Sequence, residues 1–444
     1  MTIPLHAPIR KPLLGFSTWS TQILDDVPGY GGRHIQPWFN EESLREISDV
    51  MKAKMPQYEF INLDSGWSDT CDRYGRWMYR TDLFPNGLSA LSAHLAKNHQ
   101  KLGVYILPGI RQDAAEANLP IKGCPGHRLG ELVKQKKEGN GFKGATYKPD
   151  EYNDLVQAYY DSIADLFAEW GVGYVKVDGC GPNSDMQHPA PDTRADLAMM
   201  HKAFTRHGII MELSWYLDPK YASDWATVAN GARVYADIES YSTKTMTSSH
   251  RVFQRMGPTS KWCSSMEAIQ KDGNKNAFYV DLDVVLVGMT LDGRGCIDGL
   301  DNDDVRISYI SFWALVSSVF CIGSDPRRIP DKYMSLLNHP TMLEIQQSGI
   351  MAKPIGSGNA WFNRKQVWWK RLSEHRICVG LFNTHVYPFM LGMSHEVKVN
   401  FDDLDITQAD IKDVWTGDHL GTFMGSYSKT LRPGQCQMLI LTTH

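Results

Sequence analysis

Between residues 13 and 325 the chain alternates short apolar runs with longer amphipathic stretches, and this alternation constrains the fold more than any other feature. The runs are Leu13–Thr18, Tyr58–Leu63, Gly103–Leu107, Tyr174–Val177, Ile209–Leu213, Arg233–Ala236, Phe278–Val284 and Ser318–Ile322. Several are bounded by Gly, Asp or Ser, as buried parallel strands are. The stretches between them carry helical periodicity. Over 151–170, Leu155, Tyr159, Ile163, Leu166 and Trp170 share a face, with Asp150 the expected N-cap and Gly171 the C-terminal glycine. Eight β-then-α units predict a (β/α)8 TIM barrel of class α/β, with a doubly wound open sheet as the competing architecture. After residue 340 the pattern changes. Val367–Leu372, Ile377–Asn383 and Met438–Leu441 read as strands with turn signals and no helices between them, predicting a C-terminal antiparallel β-sandwich. The expected division is a barrel over 1–335 and a β domain over 336–444.

The charge balance narrows the partners. Lys and Arg total 46 against 50 Asp and Glu, a net charge of 46 − 50 = −4, which argues against nucleic acid or an anionic membrane as partner. The first twelve residues show no apolar h-region, so no signal peptide is visible and a cytoplasmic location is expected. The eight cysteines lie at least 25 residues apart, with no CxxC and no HExxH, so neither a metal nor a redox pair is signalled and free thiols are expected. No cofactor is expected either. Gly139-Asn-Gly-Phe-Lys-Gly matches GxGxxG literally but follows a charged run rather than a strand, and reads as a surface loop. The acidic loop from Asp298 to Asp304 lacks calcium-loop spacing and reads as a helix cap. Ile307–Ser324 has 18 residues without a charge, but its five serines and Gly323 favour a buried helix followed by a strand over a membrane span.

The informative residues sit at strand ends. Alternation in Tyr174-Val-Lys-Val-Asp puts Lys176 and Asp178 on one face. The same arithmetic in Arg233-Val-Tyr-Ala-Asp groups Arg233, Tyr235 and Asp237, while Asp64 ends the second run and Asp281 and Asp283 lie in the seventh. A strand-end Asp often caps the next helix. Charged groups converging on the carboxyl ends of barrel strands point instead to chemistry, because barrel active sites form there. Two separated carboxylates, one beside an ammonium and with no metal motif nearby, fit glycoside hydrolysis.

These residues resemble glycoside hydrolase family 27, the α-galactosidase and α-N-acetylgalactosaminidase family of the melibiase clan. Gly15-Phe-Ser-Thr-Trp19, Ile61-Asn-Leu-Asp-Ser-Gly-Trp67, Arg80-Thr-Asp-Leu-Phe-Pro-Asn-Gly87, Leu102-Gly-Val-Tyr105, Tyr174-Val-Lys-Val-Asp-Gly-Cys180, Arg233-Val-Tyr-Ala-Asp-Ile238 and Asp281-Leu-Asp283 are each similar to a family motif. The likeness runs through Ser311–Leu315 and Ile322–Asp325 into the β domain. It implies a retaining, exo-acting hydrolase with Asp178 as nucleophile and Asp237 as general acid/base, their carboxyl groups about 5–5.5 Å apart. Trp19, Asp64, Lys176, Arg233 and Asp283 would line the sugar subsite with Trp215. Two positions depart from the α-galactosidase pattern: Ser65, where the family carries a second Asp, and Ser214, where it carries Glu. Galactose is the leading sugar on a small oligosaccharide. β-L-arabinopyranose, N-acetylgalactosamine and glucose stay open, as do transglycosylation, a non-catalytic carbohydrate-binding role and self-association into a homo-oligomer. The family disulfide could be mirrored by Cys124 and Cys180, yet reduced thiols are expected.

Overall fold

In the computed structural model the described residues are 11–24, 38–135, 138–140, 145–184, 190–242, 244–386 and 393–443. They fall into two compact units, one within 13–236 and one within 237–444 that also takes in residues 11–12. The first unit is built on six strands: β1 Leu14–Ser17, β2 Phe60–Leu63, β3 Lys101–Ile106, β4 Val172–Val177, β5 Ile210–Leu213 and β6 Gly231–Arg233. Each pairs in parallel with the next in sequence, with Gly15 opposite Phe60, Asn62 opposite Gly103, and Lys176 between Tyr105 and Glu212. Helices connect them, chiefly α1 Glu41–Lys54, α2 Gly87–Lys97, α3 Asp154–Glu169, α4 Arg194–Thr205 and α5 Ala222–Val228.

Close packing inside this sheet sets residue size. A Cβ at Gly103 would stand 2.6 Å from the Tyr174 ring, so only glycine lets that ring lie across β3. The helix expected from 151 starts later. Its N-cap is Asn153, which accepts from Leu155 and Val156 N–H, whereas Asp150 accepts from Gln135 N–H at 2.7 Å. Asn153 is extended and three residues nearer the first helical N–H groups, which is what a cap requires. Gly171 ends the helix at φ +75°, as expected.

The second unit supplies β7 Tyr279–Asp281 and β8 Phe320–Ile322, bridged in parallel at Asp281 with Val319 and Val285 with Ile322. Six parallel strands and then two make the eight of a (β/α)8 barrel, and an antiparallel β sandwich follows. Asn302 caps α6 Asp303–Leu315 by accepting from Val305 N–H, and buried Asp298 takes two Arg306 N–H bonds at 2.7 Å each. The acidic loop is therefore a cap and an ion pair. Ile307–Ser324 divides into that helix and β8, and among the described residues no helix is long and apolar enough to cross a membrane. Of the GxGxxG match, Gly139 and Asn140 pair with Thr146 and Tyr147, while residues 141–144 lie outside the described residues.

The terminal domain has a six-stranded antiparallel sheet containing β9 Lys365–Ser373, β10 Arg376–Asn383, β11 Gln408–Asp413 and β12 Cys436–Thr442, with a separate two-stranded sheet. Val379, Leu381, Val397, Val399, Ile411 and Leu439 fill the core between them. Lys370 on β9 is buried, and its Nζ donates to Ala314 O, Ile345 O, Ser317 Oγ and Ser348 Oγ at 2.7–3.2 Å. It caps the carboxyl ends of α6 and the helix Pro340–Gln347, where a cation meets two helix dipoles. Burial lowers its pKa to about 7. Because the unfolded chain holds this proton to about pH 10.4, stability rises as pH goes up from about 7 to 10. Lys370→Met should lose about 1–3 kcal/mol through its stranded carbonyls and flatten that rise, as urea denaturation at several pH values would show.

Candidate active site

Four elements of the first unit bring the predicted side chains to strand ends. Alternation along β4 turns Tyr174, Lys176 and Asp178 to one face, and each finds a partner there. The Tyr174 hydroxyl donates to the buried Glu212 carboxylate. Lys176 Nζ donates to Asp64 Oδ2 at 2.8 Å, not to Asp178 as the alternation alone suggests. The partner of Asp178 is Tyr105 on β3, whose hydroxyl donates to Oδ2 at 3.0 Å. Asp178 Oδ1 is buried and has no hydrogen-bond partner among the described residues.

Asp64 is held from several sides. It accepts Ser65 N–H on Oδ1 at 2.8 Å, while its own N–H goes to Thr18 Oγ1 at 2.9 Å. Asn62 lies within 3.4 Å of Oδ2, and Gln22 ties Ser65 O down at 2.7 Å. Burial opposes the charge on Lys176, but Asp64, aided by Asp178, outweighs burial and the repulsion of Arg233, and holds the ammonium well above the usual lysine range. A fixed positive charge thus stands beside Asp178. Arg233 is buried at the end of β6. The buried Ser214 hydroxyl has no hydrogen-bond partner among the described residues, while its N–H bonds Val177 O at 2.7 Å. Trp215 follows at φ +108°, a strained conformation for a bulky side chain. Trp19 and Trp215 are both half-buried. Cys180 and Cys124 are free thiols, and burial first, then Asp178, pushes the Cys180 thiol well up.

The strand arithmetic for Asp237 does not hold. β6 ends at Arg233, so Asp237 sits on a loop four residues further on, and Tyr235 packs its ring on Tyr216 with centroids 4.8 Å apart. Leu217 N–H takes the Arg233 carbonyl and ends the ladder there. In the second unit Asp237 Oδ2 accepts from the Tyr241 hydroxyl, and its carbonyl accepts from Arg251 at 3.1 Å. Asp283, at φ +78°, accepts Ile238 N–H and Val284 N–H at 2.8 Å on its two oxygens, with Arg255 4.0 Å away. Its role there is to pin the Asp237 loop. Asp237, Glu239 and Asp283 have the spacing for a cation, their nearest oxygens within 4.8 Å of one another. The two N–H donors and the nearby guanidinium already answer the Asp283 charge.

Tyr105, Tyr241 and Arg251 escaped the sequence reading. Tyr105 was within reach of it, since its place on β3 beside Lys176 follows from strand register. Tyr241 and Arg251 carry no periodic signal.

A family model described as the glycosyl hydrolases family 31 TIM-barrel domain matches residues 29–279, and one described as the alpha galactosidase C-terminal beta sandwich domain matches 363–441. The chain is 26% identical to alpha-galactosidase 3 of Hypocrea jecorina over 96% of this chain and 70% of that protein. It is 24% identical to an alpha-galactosidase of Cyamopsis tetragonoloba over 98% and 86%. Its fold is similar to that of a family 27 β-L-arabinopyranosidase from Geobacillus stearothermophilus, with TM-score 0.79 at 20% identity over 98% of each chain. The chain therefore belongs to the glycoside hydrolases, with a TIM-barrel domain of the family that the family 31 barrel model describes and an α-galactosidase-type C-terminal β sandwich.

Proposed function

We propose that this protein is a retaining, exo-acting member of family 27 that releases a terminal α-D-galactosyl residue from small oligosaccharides. The barrel, 1–335, would carry the reaction and 336–444 the appended β domain. The observation that carries this reading is the unequal footing of the two Asp178 oxygens. Oδ2 is held by Tyr105, whereas Oδ1 has no hydrogen-bond partner among the described residues and keeps a lone pair for attack. A buried acceptor in that state costs about 1–3 kcal/mol unless a ligand answers it, and such sites concentrate where a protein acts.

In the proposed reaction Asp178 Oδ1 attacks the anomeric carbon while Asp237 delivers its proton to the departing glycosidic oxygen. Asp237 then takes a proton from water as that water cleaves the glycosyl–Asp178 ester, and the sugar leaves with retained configuration. The positive charge of Lys176, fixed by Asp64, would orient the carboxylate and a sugar hydroxyl, with Trp19, Ser65, Ser214, Trp215 and Arg233 around the ring. Asp283 would act through the loop bearing Asp237.

A second sugar is favoured by position 65. The Ser65 backbone is tied down at both N–H and carbonyl, which leaves a short, uncharged hydroxyl where α-galactosidases carry a carboxylate. β-L-arabinopyranose is galactose without C6, and a fold-level neighbour of this chain is a β-L-arabinopyranosidase. Weak discrimination at C6 follows from the lost carboxylate.

Four outcomes are expected. Asp178→Asn should abolish turnover of every glycoside, because no ester can form. Asp237→Asn should retain the first step on nitrophenyl substrates, whose leaving groups need little protonation, and lose it on oligosaccharides; equal loss on both would remove Asp237 from the acid role. Tyr105→Phe should lower kcat about 10- to 100-fold with less than about 1 kcal/mol lost in stability, and an unchanged kcat would separate Tyr105 from the nucleophile. The wild-type enzyme should hydrolyse both nitrophenyl α-galactoside and β-L-arabinopyranoside, with Ser65→Asp shifting the ratio toward the galactoside. Rejection of the arabinoside would assign the reading of C6 to another residue.

A further inference from the structure

We propose that Trp361 and Phe362 form an aromatic platform for the aglycone sugars of an oligosaccharide bound at Asp237, an inference that rests on the glycosidase reading above and extends it to substrate length. Among the described residues the large exposed aromatics are Tyr241, Trp361 and Phe362, at 39%, 41% and 88% exposure. Tyr241 and Trp361 are linked to the Asp237 loop, and Phe362 follows Trp361 directly in the chain. The Tyr241 hydroxyl bonds Asp237, Arg251 holds the Asp237 carbonyl, and the next residue, His250, meets the Trp361 ring edge-on with centroids 4.9 Å apart.

The path of the chain gives the platform its place. Helical residues 249–254 and 256–260 follow the Asp237 loop. A Cβ at Gly358 would stand 2.4 Å from Ser260 Cβ, one at Gly257 3.7 Å from Asn359, and Trp361 rests on His250. Residues 358, 359 and 361 thus climb past 260, 257 and 250 toward the end where the helices leave the Asp237 loop. Ten helical residues correspond to about 15 Å, and Phe362 comes directly after Trp361 in the chain.

The backbone of the turn is tied down. Asn359 Oδ1 accepts Trp361 N–H at 2.9 Å, and its carbonyl accepts Phe362 and Asn363 N–H at 3.2 and 2.9 Å. A preformed backbone turn lowers the ordering entropy lost when a sugar stacks on the rings it displays. The chemistry around the rings suits a neutral polyol. Arg364 lies 5.1 Å from the Trp361 ring centre and can donate to hydroxyls at the rim. His250 is lowered by burial first and then by Arg251 and Arg364, so it is uncharged and able both to donate and to accept. A cation would be repelled by those guanidiniums. Two exposed rings also fall far short of the roughly 800 Å² per partner that a stable protein interface buries, which argues against a second copy as the occupant.

The test compares kcat/KM on stachyose with that on nitrophenyl α-galactoside. Phe362→Ala should lower the stachyose-to-nitrophenyl ratio about fivefold, mainly through KM, as loss of one stacked ring predicts. Met424→Ala, exposed on the β domain, serves as a surface control and should leave the ratio unmoved. An unchanged ratio in Phe362→Ala overturns the proposal, as does a wild-type dimer that this variant dissociates without moving the ratio. Should the wild-type protein cleave neither substrate, the galactosidase reading fails, and calorimetric titration of stachyose into the wild type and Phe362→Ala decides the platform separately. About fivefold weaker binding by the variant supports it. Equal affinity, or no binding to either, overturns it.

Discussion

The ammonium of Lys176 reaches the Asp64 carboxylate at 2.8 Å across the width of an intervening strand, and both groups are largely withdrawn from water. Burying two charges costs several kcal/mol each unless the remaining lone pairs and protons are answered. Here Ser65 N–H and Asn62 answer Asp64, and Thr18 and Gln22 brace the backbone around it. The hydrogen-bonding order of the first unit can be followed outward from this pair. It fixes the ends of β2 and β4, leaves Tyr105 on β3 to hold Asp178, and gives Arg233 a cationic neighbour.

Two strained residues and two unmet polar atoms belong to the predicted site. Trp215 and Asp283 both adopt positive φ without being glycine, each two residues beyond the end of a barrel strand. Asp178 Oδ1 and Ser214 Oγ are buried without hydrogen-bond partners among the described residues. A chain selected for stability alone would relax such features at about 1–3 kcal/mol each. Asp178 and Ser214 stand just beyond β4 and β5, among the residues of the proposed sugar site. The second unit spends its polar groups otherwise. Ile238, Val284, Arg251 and Tyr241 act on the segment bearing Asp237, and the neighbouring helices carry the turn that displays Trp361 and Phe362.

Strand and helix identity were legible because each is written in local periodicity. The eight apolar runs coincide with β1–β8 to within a few residues, and the change of pattern after residue 340 marks the antiparallel sheets. Boundaries were less legible. Asn153 rather than Asp150 caps α3, since a cap is chosen by the backbone conformation of one residue and not by side-chain type alone. The sixth strand begins two residues before its apolar run, at Gly231 and Ala232, since a ladder needs only their backbone groups.

The sequence by itself determined the barrel, the β domain and the charged residues at the strand ends, because period-two and period-3.6 patterns and the Lys-x-Asp spacing are local properties of the chain. Tertiary structure alone decided who pairs with whom. Lys176 turns to Asp64, 112 residues away, and Tyr105 rather than a cation touches Asp178. Such pairings depend on which strands lie side by side and at what register. A hydrogen bond needs its donor placed to within a few tenths of an ångström, and only the folded sheet supplies that placement.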